Sequence, residues 1–212
     1  IWNNWRLPDG TIGAAYGAQL GKRKGRVKWN AELEEMLKSG FLSGYDEDPE
    51  DADYVLLDQV DYLLYKLKTD RSSRRLIVML WNWDDTFKMA LTPCVYETQW
   101  IVEGDKLHLE VGVRRNDLAV GNPFNVFQYY VIWRCIAQVT GYKLGELEFS
   151  INIPHVYDRH EEKLKEQLSR PKHAAPTLHI NPDVKSFYDF DMEDFKLENY
   201  VSEDKIWYEI AE

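Results

Sequence analysis

Leu91-Thr92-Pro93-Cys94-Val95-Tyr96-Glu97-Thr98-Gln99-Trp100 opens the most strongly patterned part of the chain. Residues 95–102 and 106–113 are rich in β-branched and aromatic side chains and flank Glu103-Gly104-Asp105. They read as a hairpin whose second arm alternates Leu107, Leu109, Val111 and Val113. Upstream, Leu76 to Trp83 is a β-rich apolar run, so Cys94 lies between strand candidates, where a turn can present its thiol. Leu56, Leu57, Val60, Leu63, Leu64 and Leu67 mark one helix face, ended by Asp70-Arg71-Ser72-Ser73. Downstream, residues 124–140 are apolar almost all round and are followed by Gly141, which predicts a buried core helix. A short helix from Trp29 to Ser39 stopped by Gly40, and a charged amphipathic helix over 157–169, complete the pattern. Strands and helices that do not alternate regularly point to α+β.

The 212 residues fit one large domain or two small ones, with 44% hydrophobic and 14% aromatic residues to fill a core. A formal net charge of -10 argues against general nucleic-acid or membrane-surface binding, which wants a basic field. No run approaches the ~20 apolar residues of a membrane span, and no signal peptide opens the chain. Only Cys94 and Cys135 occur, so a disulfide scaffold is not expected and a cytoplasmic location is. The opening Ile1-Trp2-Asn3-Asn4-Trp5 lacks a Met and looks like a domain interior, as if upstream residues were cleaved or omitted. Residues 22–54 combine a basic patch at 22–28 with six acids in Asp46–Asp53. They read as an insertion on one face, with the acids in a solvated loop.

Thiol chemistry needs a thiolate, and nearby cations raise its population. Arg74-Arg75 and Arg114-Arg115 could supply that field for Cys94; the plainer reading is a small buried hydrophobe with surface arginines elsewhere. Cys135, inside the apolar helix, is read as structural. In Pro154-His155-Val156-Tyr157 the imidazole and the phenol fall on one face of an extended segment, as residues two apart do. The five histidines have no metal-ligand spacing with the cysteines, so no metal is expected. Phosphate-binding Gly-rich loops and G-x-S-x-G are absent.

Taken in order, these segments resemble the thymidylate synthase and deoxypyrimidine nucleotide hydroxymethylase superfamily. The Pro93-Cys94 stretch is similar to its active-site segment, and Gly121-Asn122-Pro123-Phe124-Asn125-Val126 to its Gly-x-Pro-Phe-Asn segment, continued by Ala137-Gln138-Val139-Thr140-Gly141. His155-Val156-Tyr157 with His160 resembles its His-x-Tyr-x-x-His stretch, and Ser73-Arg74-Arg75 its Ser-Arg-Arg. Trp2, Trp5, Asp9-Gly10 and Tyr16-Gly17 fit the sequence leading into it. The resemblance covers essentially everything except residues 22–54. It implies a mixed β-sheet with a buried central helix and flanking helices in one catalytic domain.

The resemblance also implies roles. Cys94 is the nucleophile that adds to C6 of dUMP, after which C5 attacks the one-carbon unit of 5,10-methylenetetrahydrofolate, the co-substrate. Arg114 lies beside the thiol and the substrate phosphate, while Arg74 and Arg75 cross a homodimer to the partner's phosphate. Asn125 reads the base, because a carboxamide complements O4 and N3–H of uracil. His155 and Tyr157 hold the deoxyribose hydroxyl, and Tyr16 stands near proton removal from C5. Trp2, Trp5, Asp117, Gly121 and Ala211 serve the folate.

Departures from the family pattern are equally legible. Arg115 replaces a phosphate-binding hydroxyl, Asn152-Ile153-Pro154 replaces Gly-Asp-x before the histidine, and Glu212 stands where the family has an apolar end. The family's N-terminal part, with its catalytic Glu and a phosphate-binding Arg, has no counterpart here. A charged terminal residue and an altered nucleotide wall favour water entry. The sequence reading therefore prefers a phage-type deoxyuridylate hydroxymethylase, with a thymidylate synthase as the alternative and a non-catalytic nucleotide- or RNA-binding relative as the third.

Overall fold

The computed structural model describes residues 2–21, 24–40 and 45–209. Their contacts group into two compact units. One runs to Val113 and includes Tyr142–Ser150; the other holds Arg114–Gly141 and the residues from Ile151 onward. In the first unit a 3-10 turn at Trp2–Trp5 precedes α1 (Tyr16–Gln19), β1 (Lys24–Lys28), α2 (Ala31–Lys38), β2 (Asp46–Glu47) and β3 (Tyr54–Asp58). There follow α3 (Gln59–Thr69), β4 (Ile77–Met79), a 3-10 turn at Trp83–Lys88, β5 (Val95–Glu103) and β6 (Lys106–Val113). The second unit begins with β7 (Asn116–Asp117) and α4 (Gly121–Thr140); β8 (Lys143–Ile151) belongs to the first unit's sheet. The second unit resumes with β9 (Pro154–His155), α5 (Glu161–Ser169), β10 (Thr177–Ile180) and β11 (Phe195–Glu198). The class is α+β.

The main sheet has the order β4-β5-β6-β8. The β5–β6 hairpin forms where alternation predicts it, closing at Glu103↔Lys106. Successive side chains point to opposite faces. One face carries Val78, Trp100, Leu107, Leu109, Val111 and Val113, all buried. The other carries Ile77, Met79 and Ile101, which are 38%, 43% and 45% exposed. The register shifts between Val95 and Glu97, directly after Cys94. Such bulges re-aim side chains beside active sites.

Four boundaries differ from the sequence reading. Leu56 and Leu57 belong to β3, which pairs antiparallel with β1, and the helix begins only after Asp58, whose carboxylate accepts from the Val60 N–H. The run from Leu76 shortens to β4, because Asn82 caps the 3-10 turn through the Asp84 N–H. The acids at 46–53 are not all a solvated loop: Asp46 pairs with Lys24, and Asp48 is buried against Arg26. That guanidinium is the main reason the Asp48 carboxyl lies below its ordinary value. Helix α4 is buried along one stripe, Asn125, Tyr129, Trp133, Ile136 and Ala137, while Phe124, Val126 and Phe127 are exposed. The strand β8 was not foreseen, because Gly145 and three glutamate or lysine side chains dilute its alternation.

A second, smaller core joins Leu33, Met36, Val55, Leu57 and Tyr65, with Val27, Trp29 and Tyr62 packed against it. Val27, Trp29, Leu33 and Met36 thus share a core with β3 and α3. Gly13 is the tightest backbone position. It sits at φ +72° with an isolated bridge to Met89, and a Cβ there would stand 2.1 Å from the Lys88 carbonyl oxygen. Gly13→Ala is expected to cost at least about 1–2 kcal/mol from the left-handed backbone alone, plus the clash. Urea unfolding of the two proteins measures it.

Candidate active site

Cys94 is half-buried at the mouth of β5, behind a buried Pro93. Its backbone N–H donates to the Tyr16 hydroxyl at 2.8 Å. A hydroxyl has one donor and two acceptor sites, and this bond uses an acceptor site. The predicted nucleophile and the predicted proton-handling phenol are therefore joined directly, across 78 positions of sequence.

A polar network borders the short helix that carries Tyr16. The Ala14 N–H donates to the Lys88 carbonyl at 3.1 Å, and the Ala90 N–H donates to that of Ile12 at 3.1 Å. Buried Gln19 donates from Nε2 to the Ala14 carbonyl and to Asp85 Oδ2. Asn82 and Lys88 both donate to the Asp85 carboxylate as well, and Gln59 donates to the Gln19 carbonyl. Buried polar groups satisfied in this way hold a unique geometry. Sequence reasoning missed Gln19, Asp85 and Gln59. A buried Gln–Asp contact 66 residues apart leaves no periodic mark; the one local hint is that Gln19 and Tyr16 share one helical turn.

The two thiols differ sharply. Cys135 is buried on α4, and burial pushes its thiol up to about 12. At pH 8 a neutral alkylating reagent is expected to modify Cys94 and leave Cys135 unmodified in the folded protein. Peptide mass mapping reads this directly, and preferential labelling of Cys135 would contradict it. Trp5 is half-buried and Trp2 opens the same 3-10 turn, while Arg74 and Arg75 are exposed just before β4. A cleft of about 580 Å³ in this unit, lined in part by Gln19, Tyr62, Met79, Trp81 and Trp83, contains none of the predicted site residues.

The second unit gathers the remaining candidates. Arg114 is half-buried and Arg115 exposed, immediately before β7. β7 and β9 form a short parallel pair that sets Asp117 opposite His155. The Asn116 N–H donates to the Ile153 carbonyl, and the Leu118 N–H donates to that of His155. Asp117 Oδ1 accepts from the Ala119 and Val120 N–H groups, so this carboxylate also shapes the turn into α4. Gly121 is the first residue of that helix, and buried Asn125 projects from its second turn. His155 and Tyr157 lie together as foreseen, ring centroids 5.1 Å apart at 89°.

Within each unit the predicted residues thus converge: Cys94 with Tyr16 in one, Asp117 with His155 and Tyr157 in the other. Ala211 and Glu212 lie outside the described residues. Among the described residues no group of three or more His, Cys, Asp or Glu side chains could hold a metal ion.

The chain is similar to known proteins along its whole length. The thymidylate synthase family model matches residues 1–212. Thymidylate synthase 1 of Bacillus subtilis strain 168 is 54% identical over 211 residues, covering 100% of this chain and 67% of that protein. The thymidylate synthase of Bacillus phage phi3T shows the same identity and the same coverage. Among solved structures, the thermostable thymidylate synthase A from Bacillus subtilis superposes with a TM-score of 0.77 at 52% identity, over 99% of this chain and 66% of that one. The chain spans about two thirds of the length of these relatives. On this evidence the chain belongs to the thymidylate synthase family.

Proposed function

We propose that this chain carries the nucleophile of a thymidylate synthase, an enzyme that converts dUMP and 5,10-methylenetetrahydrofolate into dTMP and dihydrofolate. The observation that carries the reading is the Cys94–Tyr16 bond on a bulged strand, in a chain 54% identical to thymidylate synthases along its whole length. Such identity also favours the synthase over the hydroxymethylase that the charged Glu212 and the Asn152-Ile153-Pro154 wall suggested. All the relatives just named are called thymidylate synthases.

In this reading Cys94 attacks C6 of the uracil as a thiolate, and C5 becomes the nucleophile toward the one-carbon unit. Asn125 pairs with O4 and N3–H, and His155 and Tyr157 position the sugar. Tyr16 stands beside the thiol's own backbone, where it can serve the removal of the C5 proton. Loss of the C5 proton expels tetrahydrofolate and leaves an exocyclic methylene on C5 with Cys94 still bonded to C6. Hydride from the tetrahydrofolate then reduces the methylene to methyl, the C5–C6 double bond re-forms and Cys94 leaves as thiolate. Arg74, Arg75, Arg114 and Arg115 supply forked donors for the phosphate dianion. Arg115 in place of a hydroxyl adds charge there. Trp2, Trp5, Asp117, Gly121 and Ala211 are assigned to the folate. No metal is needed for any of these steps.

A homodimer belongs to the same proposal. The sheet face that exposes Ile77, Met79 and Ile101 mixes them with Gln99, His108 and Glu110, apolar contacts with polar partners that a self-complementary interface can pair, and exposed Arg74 and Arg75 sit at its β4 edge. Neither cysteine is in a disulfide, which suits a reducing compartment such as the cytoplasm. Among the described residues no helix is long and apolar enough to cross a membrane. The test is turnover with dUMP and methylenetetrahydrofolate, following product mass and dihydrofolate absorbance together. One dihydrofolate per dTMP is expected; 5-hydroxymethyl-dUMP without dihydrofolate would restore the hydroxymethylase.

A further inference from the structure

The helix that carries Tyr16 is four residues long, Tyr16–Gln19, and no side chain caps it at Ala15. A single turn gains too little from its own hydrogen bonds to hold its place, so its geometry comes from what it touches. Gln19 folds back along the turn. Its Nε2 donates to the Ala14 carbonyl at 2.8 Å, just ahead of Tyr16, and to Asp85 Oδ2 at 3.2 Å. At the other end of the turn the Gln19 carbonyl accepts from Gln59 Nε2 at 2.8 Å. The Gln59 amide also exchanges two hydrogen bonds with the Met79 backbone, taking the place of a neighbouring strand beside β4.

Asp85 is tied to the thiol's side as well. It is buried in the 3-10 turn Trp83–Lys88, where Asn82 Nδ2 donates to its Oδ2 at 3.2 Å and Lys88 Nζ to its Oδ1 at 2.9 Å. From Lys88 the chain runs beside residues 12–14, joined by the Ala14 N–H to the Lys88 carbonyl, the Gly13–Met89 bridge and the Ala90 N–H to the Ile12 carbonyl. Cys94 follows, and its bond to the Tyr16 hydroxyl closes the path. The phenol's turn and the thiol's loop are thus both attached to Asp85, one through Gln19 and the other through the chain itself. Cys94 leads directly into β5, which holds it independently, whereas the four-residue turn rests on the contacts just described.

We propose that Asp85 is a positioning residue: by holding Gln19 it sets where the Tyr16 hydroxyl stands relative to Cys94, and so the rate of proton removal from C5. The inference rests on the assignment of Tyr16 to that proton in the reaction proposed above. A displacement of about 1 Å can cost on the order of 100-fold in a reaction that depends on placement. The effect of Asp85 passes through the turn of Tyr16, so its loss slows the proton step and spares the attack of Cys94 on C6.

Two single-turnover rates, measured with enzyme in excess, separate the steps. Adduct formation with 5-fluoro-dUMP and methylenetetrahydrofolate reads the attack of Cys94 and carbon–carbon bond formation. Tritium release from dUMP labelled at C5 reads proton removal. Asp85→Ala is expected to slow tritium release by about tenfold, part of the roughly 100-fold or more that a well-placed proton carrier supplies. Gln19→Met, which keeps the length of the side chain and removes its donor, is expected to do the same. Adduct formation is expected to change by less than about twofold, because removing an interaction used in one step spares the other. A variant that folds poorly lowers the amplitude of both signals and leaves their rates readable. Asp85→Asn keeps an oxygen for Gln19 and is expected to recover most of the loss. Added to Tyr16→Phe, Asp85→Ala is expected to cost less than about twofold more, since residues that act through one another are not additive. Unchanged tritium release in both Asp85→Ala and Gln19→Met, equal slowing of both steps, or a full further loss on top of Tyr16→Phe would overturn the proposal. Normal tritium release in Tyr16→Phe would instead overturn the assignment of Tyr16 to the C5 proton, and this inference with it. An unsubstituted protein that releases no tritium would overturn the proposed reaction itself.

Discussion

Cys94→Ala is expected to abolish turnover while leaving folding and dUMP binding nearly intact. Removing a nucleophile that forms the covalent intermediate commonly lowers kcat by on the order of 10⁴-fold or more, because no other group can open the pathway. The thiol is half-buried and lies at a loop–strand junction, so its loss creates little cavity. The Cys94 N–H is a backbone group, and its bond to the Tyr16 hydroxyl survives the substitution. Cys135→Ala is the control. It removes a buried thiol from the α4 stripe and is expected to lower stability while kcat stays close to normal. Rates and urea midpoints for both variants decide the matter, and full activity in Cys94→Ala with loss in Cys135→Ala would reverse the assignment.

Asn125→Asp is expected to shift preference from dUMP toward dCMP. The carboxamide offers one donor and one acceptor to the uracil edge, whereas a carboxyl suits the inverted pattern of cytosine. The position is buried, so a mismatched group there has little water to turn to. Sites built on such hydrogen bonds discriminate strongly, and kcat/KM for dUMP is expected to fall by on the order of 100-fold or more. Each tenfold corresponds to about 1.4 kcal/mol of lost transition-state stabilisation. Competition between dUMP and dCMP checks it. A preference for dCMP already present in the unsubstituted protein would contradict the base-reading role.

Much of the fold was legible because its strongest elements are locally encoded. The β5–β6 hairpin follows from alternation around a Gly turn, and α4 ends at Gly141, whose φ of +80° favours glycine. What escaped was set by pairing. Leu56 and Leu57 satisfy a helical spacing, yet they lie in β3 because β1 pairs along it. Apolar spacing shared by the end of a strand and the start of a helix cannot mark the boundary; the Asp58 cap does. The acids at 46–53 look solvated until Lys24 and Arg26, some 22 positions away, are brought to Asp46 and Asp48.

For the site, the individual candidates were legible as short motifs, whereas their supports were not. Cys94, Asn125, His155 and Tyr157 sit in recognisable strings. Gln19, Asp85 and Gln59, which form the polar network beside the helix of Tyr16, are ordinary polar residues whose contacts exist only once the chain has folded. His160 was visible as the last residue of His-x-Tyr-x-x-His, but nothing in the string indicates that it reaches the Glu209 backbone. The preference for a hydroxymethylase came from Glu212 and from residues 152–154, four positions weighed against a pattern that runs the whole length of the chain.

The claim that Cys94 opens the reaction on C6 of dUMP is tested most directly by trapping the adduct. A fluorine at C5 of the nucleotide cannot depart as a proton does, so the enzyme incubated with 5-fluoro-dUMP and methylenetetrahydrofolate should stall after carbon–carbon bond formation. Mass spectrometry of the digest is expected to find nucleotide and folate together on the peptide that contains Cys94. An unchanged Cys94 peptide, or an adduct on Cys135, would contradict it.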